Sequence, residues 1–171
     1  MFQGPTPGDG TGSVKASDSI TRIYACATMW HESEEEQLEM LKSLFRIDTD
    51  YHRRKMARNH FKVVDPDYYN WETHILFDDC MELTDDEEKI VNKFVKQLVS
   101  LMDEAASRHY GKPVKIKPCK KYPTPYGGRL VWTLPGKTQI ICHLKVSHDK
   151  ALPLKQRQFT INIFFFRTKT K

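Results

Sequence analysis

Apolar positions along this chain first alternate, then recur at helical spacing, then alternate again. In "ITRIYACATMW", Ile23, Ala25 and Ala27 alternate with Tyr24 and Cys26, which predicts a mostly buried strand ending at "WHES". Ser33 with Glu36 three residues on is a capping-box pattern, and Leu38, Leu41 and Phe45 follow at helical spacing. The acids there suit a helix N-terminus. The polar and basic stretch 48–62 predicts a second helix, broken by Pro66 in "VVDPDYYNW". "ETHILFDD" reads as a second strand. Thr84 with Glu87 repeats the capping-box pattern, and Val91, Phe94, Val95, Leu98 and Met102 form an apolar stripe. Together they predict a core-packed helix over 84–108, stopped by Gly111 and Pro113. A basic loop runs to Pro125. Then "GGRLVWTL" and "TQIICHLK" read as two strands joined by a "PGK" turn.

Strand, helix, strand, long helix and further strands make an α/β order, which predicts a mainly parallel sheet with helices on its faces. Ligands of such sheets bind at the carboxyl ends of the strands. "TMWHE" and "DDCM" both fall where a strand ends, so both are expected on one edge.

The 171 residues suit one domain. Hydrophobic residues make up 39% and charged residues 29%, a balance of folded rather than disordered chains. No stretch approaches the roughly 18 to 20 apolar residues of a membrane span. Residues 1–18 are rich in Gly, Pro, Ser and Asp, read as a flexible leader, and have no apolar core of a secretory signal. The net charge is +5, and "GKPVKIKPCKK" at 111–121 carries five lysines and no acid. A patch of that kind meets phosphates or is simply a solvated loop. Cys26, Cys80, Cys119 and Cys142 form no Cys-x-x-Cys pair and no zinc spacing. Cys26, Cys80 and Cys142 sit in or beside apolar runs, and the plain reading is small buried thiols in a reducing compartment.

Three separated blocks carry a resemblance: "IYACATMWHES…EEQLEMLKSLFRID", "YYNWETHILFDD" and "TPYGGRLVWTLPGKT…CHLK". In this order they resemble the opening of the catalytic domain of animal-type chitin synthases, over about residues 20–145. The resemblance implies part of a GT-A-like domain of a processive family 2 glycosyltransferase. Such enzymes pass N-acetylglucosamine from UDP-GlcNAc to a growing β-1,4-linked chitin chain. It also implies a divalent metal, magnesium or manganese, in the full-length enzyme. A full-length member would lie in the plasma membrane with this domain on the cytosolic side. No nucleic acid is expected as a partner.

By this resemblance Thr28, His31 and Glu32 of "TMWHE" are candidate uridine contacts. Asp78 and Asp79 match the Asp-Asp that follows the second strand, where a carboxylate accepts from uracil N–H or ribose hydroxyls. Lys145 in "HLK" is a candidate diphosphate contact, with Arg129 and Lys137 as weaker ones. Each has a plainer reading. His31 caps the next helix, Glu32 favours its N-terminus, and the two aspartates serve turn chemistry.

After "CHLK" the chain shows none of the metal-binding, general-base and Gln-x-x-Arg-Trp elements that come later in the family, so no catalytic residue or metal ligand is named. The chain alone is expected to be inactive. Residues 19–145 are read as the partial glycosyltransferase domain. The tail 146–171 departs from the family and reads as sequence from beyond a splice donor, with "FTINIFFF" as its one strand-like run. The competing function is a non-catalytic basic module that binds anionic lipid or nucleic acid through 111–121.

Overall fold

The computed structural model describes residues 20–63, 65, 67–125, 127–145 and 161–166. The leader 1–18 and most of the tail lie outside the described residues.

In chain order the elements are β1 (Thr21–Met29), α1 (Glu34–His60), β2 (Tyr69–Phe77), β3 (Met81–Leu83), β4 (Lys89–Val91), α2 (Lys93–Tyr110), β5 (Lys120–Thr124), β6 (Gly127–Thr133), β7 (Gln139–Lys145) and β8 (Ile161–Phe166). Six strands form one sheet in the order β5-β6-β7-β2-β1-β8. Its centre, β7-β2-β1, is parallel, and antiparallel strands flank it on both sides. The expected α/β class with a parallel central sheet holds, but the helices, expected on its faces, both lie on one face.

The chain steps from β1 to β2 to β7 in one direction across the sheet. Right-handed crossovers taken in one direction place their helices on one face. Accordingly α1 and α2 pack together, and one core joins Leu38, Leu41, Phe45 and Leu98 to Ala27, Met29, Ile75 and Phe77 of the sheet. Strand alternation turns Tyr24, Cys26, Thr28, Glu72, His74 and His143 to the other face, where they are half-buried.

Helix α1 starts as its sequence predicts. Ser33 is the N-cap of a complete capping box with Glu36, and Glu34, Glu35 and Glu36 fill the first turn. It does not break near residue 48. The apolar stripe continues through buried Asp48 and Tyr51, so the two predicted helices are one helix of 27 residues, about 40 Å long.

The helix predicted over 84–108 starts later, at Lys93. Residues 81–91 form a β3–β4 hairpin instead. The Thr84 hydroxyl accepts from Glu88 N at 3.1 Å, and Glu87 N donates to Thr84 O at 2.9 Å with Glu87 at φ 61°. The true cap is Asn92, whose Oδ1 accepts from Phe94 N and Val95 N, both at 3.1 Å. Asn92 stands directly before the apolar run and satisfies two helix N–H groups, so it outcompetes Thr84. Helix α2 ends at Gly111 in the left-handed region, φ 64°. The predicted loop to Pro125 contains β5, which pairs with β6 from Lys120 to Thr124. Pro123 sits there on an edge strand, where a missing N–H is tolerated.

Candidate functional site

The parallel strands β1, β2 and β7 end on one edge, with Met29 beside Phe77 and Phe77 beside Leu144. Asp78 N donates to Met29 O at 3.0 Å and ties the first two strand ends together. Both helices start on this edge. The Gln37 amide donates to Glu32 O at 3.4 Å and to Phe94 O at 3.3 Å, joining the two helix starts. Gln97 Nε2 donates to Glu32 O as well, at 3.5 Å.

His31 lies at the centre of an aromatic stack. Its ring is 4.4 Å from Trp30 at 13° and 4.3 Å from Phe94 at 15°. Its Nε2 meets Asp79 Oδ2 at 3.0 Å. Lys93 Nζ lies 5.0 Å from the Phe94 ring centre. Because Ser33 caps α1, His31 has no capping role. The Glu32 carboxylate accepts from Trp30 N at 2.7 Å and so shapes the turn that presents Trp30 and His31.

Asp79 is held from two sides. His31 engages its carboxylate, and Asn92 Nδ2 donates to its carbonyl at 2.9 Å. One asparagine therefore caps α2 and fixes the aspartate. A carboxylate that accepts one bond keeps further acceptor sites for a ligand. Asp78 is exposed at the same edge. Next to the pair, burial and the charge of Asp79 push the Cys80 thiol up to about 11. Cys80 stays protonated at neutral pH, donates to Lys145 O at 3.0 Å, and pins the end of β7 to this edge.

The structure therefore brings His31, Glu32, Asp78, Asp79 and Lys145 to one edge. Thr28 lies one residue inside it, half-buried on the face without helices, opposite Leu76. Arg129 is exposed within β6 opposite His143, about 7 Å along the strand from the level of Lys145. Lys137 lies apart from the group. It occupies the turn before β7, at the other end of the sheet, with φ 75°. Its N–H donates to Leu134 O at 2.9 Å.

Trp30 and Asn92 are site residues that the sequence does not single out, and Phe94, expected only as a core position of the apolar stripe, stacks on His31 instead. The signal for Asn92 was its place before an apolar run; Trp30 shows only as a large aromatic directly after a strand. Among the described residues, no group of three His, Cys, Asp or Glu side chains converges to hold a metal ion. No described helix is long and apolar enough to cross a membrane.

A parallel-centred α/β sheet with polar groups gathered at its carboxyl edge fits part of a GT-A-like domain, the class used by glycosyltransferases. The chain is 50% identical over 133 residues to chitin synthase chs-2 of Caenorhabditis elegans, covering 78% of this chain and 8% of that protein. It is 46% identical over 130 residues to the chitin synthase of Meloidogyne artiellia, 76% of this chain and 7% of the other. Chitin synthase chs-1 of Caenorhabditis elegans is 34% identical over 131 residues, 75% of this chain and 10% of the other. Over this matched segment the chain belongs to the chitin synthase family. It spans about a tenth or less of the length of these relatives. No family model matches the chain, and no solved structure matches it.

Proposed function

We propose that this chain holds the uridine end of UDP-GlcNAc for a chitin synthase, the donor from which N-acetylglucosamine passes to a growing β-1,4-linked chitin chain. One observation carries this reading: the Trp30–His31–Phe94 stack fixes His31 against Asp79 at the carboxyl edge of the parallel strands. A ring stacked on both faces cannot swing away, so the His31–Asp79 pair stands preorganised. Trp30 is 38% exposed and offers a face on which a base stacks. Asp79, with Asp78 beside it, accepts from uracil N–H or ribose hydroxyls. Lys145 supplies a compact cation for the diphosphate, and Arg129 lies further along the same face. Lys137 takes no part in this reading. The divalent metal that the family uses is assigned no ligand among the described residues.

Calorimetric titration with UDP tests this. A hydrogen bond to a charged group contributes about 1.5–3 kcal/mol, so Asp79→Ala should weaken UDP roughly ten- to a hundredfold. Trp30→Ala should lower affinity for UDP and CDP alike, because stacking is indifferent to the base edge. Wild-type UDP affinity in Asp79→Ala would remove this aspartate from the site.

A further inference from the structure

A half-open cavity of about 520 Å³ lies away from the carboxyl edge, between the second half of α1, the end of α2 and the start of β2. Its walls include Arg46, Thr49, Arg53, Tyr69, His109 and Tyr110. Arg46, Thr49, Asp50 and Arg53 follow one another at spacings of three, one and three, which lines them along one stripe of α1. Among the described residues neither Arg46 nor Arg53 has a carboxylate at ion-pair distance. The one acid in the wall, Asp50, faces Arg54 at 3.7 Å. Two unpaired guanidinium groups therefore share a cavity of the size that small ligands occupy.

The inner wall is ordered by hydrogen bonds. The Thr49 hydroxyl donates to Phe45 O at 3.0 Å, so at its 2.9 Å contact with His109 it accepts from Nε2–H. Tyr110 OH lies 3.4 Å from the same oxygen. Neutral His109 is thus left with Nδ1 as the nitrogen that takes a proton. Burial, then Arg46 and Arg53, push the His109 pKa below the usual range, with Asp48 opposing. Tyr69, Tyr110 and Asp50 are the other ionisable groups at this wall. The cavity is built with more positive charge than it neutralises.

We propose that this cavity is a binding site for a small phosphate-bearing anion, clasped by Arg46 and Arg53 with His109 at its inner wall. Planar guanidinium groups match phosphate oxygens in pairs, and Arg is suited to that geometry. Tyr69 and Tyr110 provide hydroxyls and ring faces for the organic body of the ligand. The site is separate from the uridine edge, and the proposal stands independently of the reading given there. A free phosphate compound and a phosphate-bearing lipid headgroup share this chemistry.

The test follows the His109 ring signals of the full chain by NMR across a pH series. It uses inorganic phosphate against chloride at matched ionic strength, and phosphatidic acid vesicles against phosphatidylcholine vesicles. Bound phosphate should raise the His109 pKa by about one unit, because an opposite charge nearby favours the protonated ring. Arg46→Gln and Arg53→Gln should each weaken phosphate about tenfold, and Arg108→Gln should change nothing. A response to free phosphate identifies a soluble ligand. A response only to phosphatidic acid identifies a headgroup. The proposal is overturned if neither moves His109, or if the Arg46→Gln/Arg53→Gln double variant, shown folded by its amide spectrum, responds like the wild type.

Discussion

Replacing Asp48 by alanine should remove a large share of this domain's stability. Asp48 has no exposed surface, yet it stands mid-helix in α1, on the stripe that faces the core. Its carboxylate accepts from Gly136 N at 2.6 Å, Thr138 N at 3.0 Å and Thr138 Oγ1 at 2.7 Å. Backbone bonds from Leu134 N to Thr138 O and from Lys137 N to Leu134 O close the β6–β7 turn, and the Asp48 carboxylate anchors it to α1. Alanine would leave two backbone N–H groups and a hydroxyl buried without an acceptor, and each costs about 1–3 kcal/mol. The hydroxyl can rotate to another partner, so the expected loss is about 3–5 kcal/mol, against a typical total of about 5–15 kcal/mol for a domain. Asp48→Asn keeps one acceptor oxygen and should lose about half as much. Urea unfolding measures both: the midpoint should fall while the slope stays constant. In the double variant with Thr138→Val the losses should not add, because the two residues share bonds. UDP affinity should persist, because this turn lies at the other end of the sheet from the strand ends. A loss below about 1 kcal/mol in Asp48→Ala would refute the claim that this carboxylate anchors the turn.

Gly136→Ala should be comparably harmful, since a Cβ there would sit 2.5 Å from Asp48 O; a variant as stable as wild type in urea would contradict the close packing. Asn92→Ala should cost about 1 kcal/mol of helix capping and also loosen Asp79, so UDP affinity should fall together with stability. Burial, with His74 and Arg129 nearby, lowers the His143 pKa, and Glu72 opposes. A folded value below the unfolded one, about 6.5, means that the unfolded chain binds more protons, so stability should fall as pH drops below that value. Urea midpoints at pH 7.5 and 5.5 should differ less in His143→Gln than in the wild type. Burial holds the Cys80 and Cys142 thiols above their ordinary range, so iodoacetamide at pH 7.5 should label them only after unfolding, as read by mass spectrometry.

The elements that were legible in the sequence are those whose signals are local. The capping box at Ser33, the strand alternation of 21–29 and the "PGK" turn needed only neighbouring residues to be read. The hairpin at 81–91 was hidden because Thr84 and Glu87 have the spacing of a cap, and nothing local shows that Thr84 prefers Glu88 N. The continuity of α1 was hidden because Asp48 reads as polar punctuation, whereas its acceptors are used by a turn about ninety residues away. For the site, the parallel order implied that "TMWHE" and "DDCM" share an edge. Pairing His31 with Asp79 required the third dimension, as did placing Phe94 against the imidazole. Lys137 looked as basic as Lys145, but seven residues of strand separate the two ends of the sheet.

Gln37 sets how this edge can move. One fully buried amide spans the starts of two helices, bonding Glu32 O on one side and Phe94 O on the other. Sliding α2 along α1 would break the bond from the Gln37 amide to Phe94 O and the bond from Gln97 to Glu32 O, the two contacts that join the helix starts. The two helix starts therefore behave as one rigid bracket, and the aromatic stack moves with that bracket. A donor arriving here meets a jaw already set, and any closure over it has to come from segments beyond this bracket rather than from a hinge between its helices.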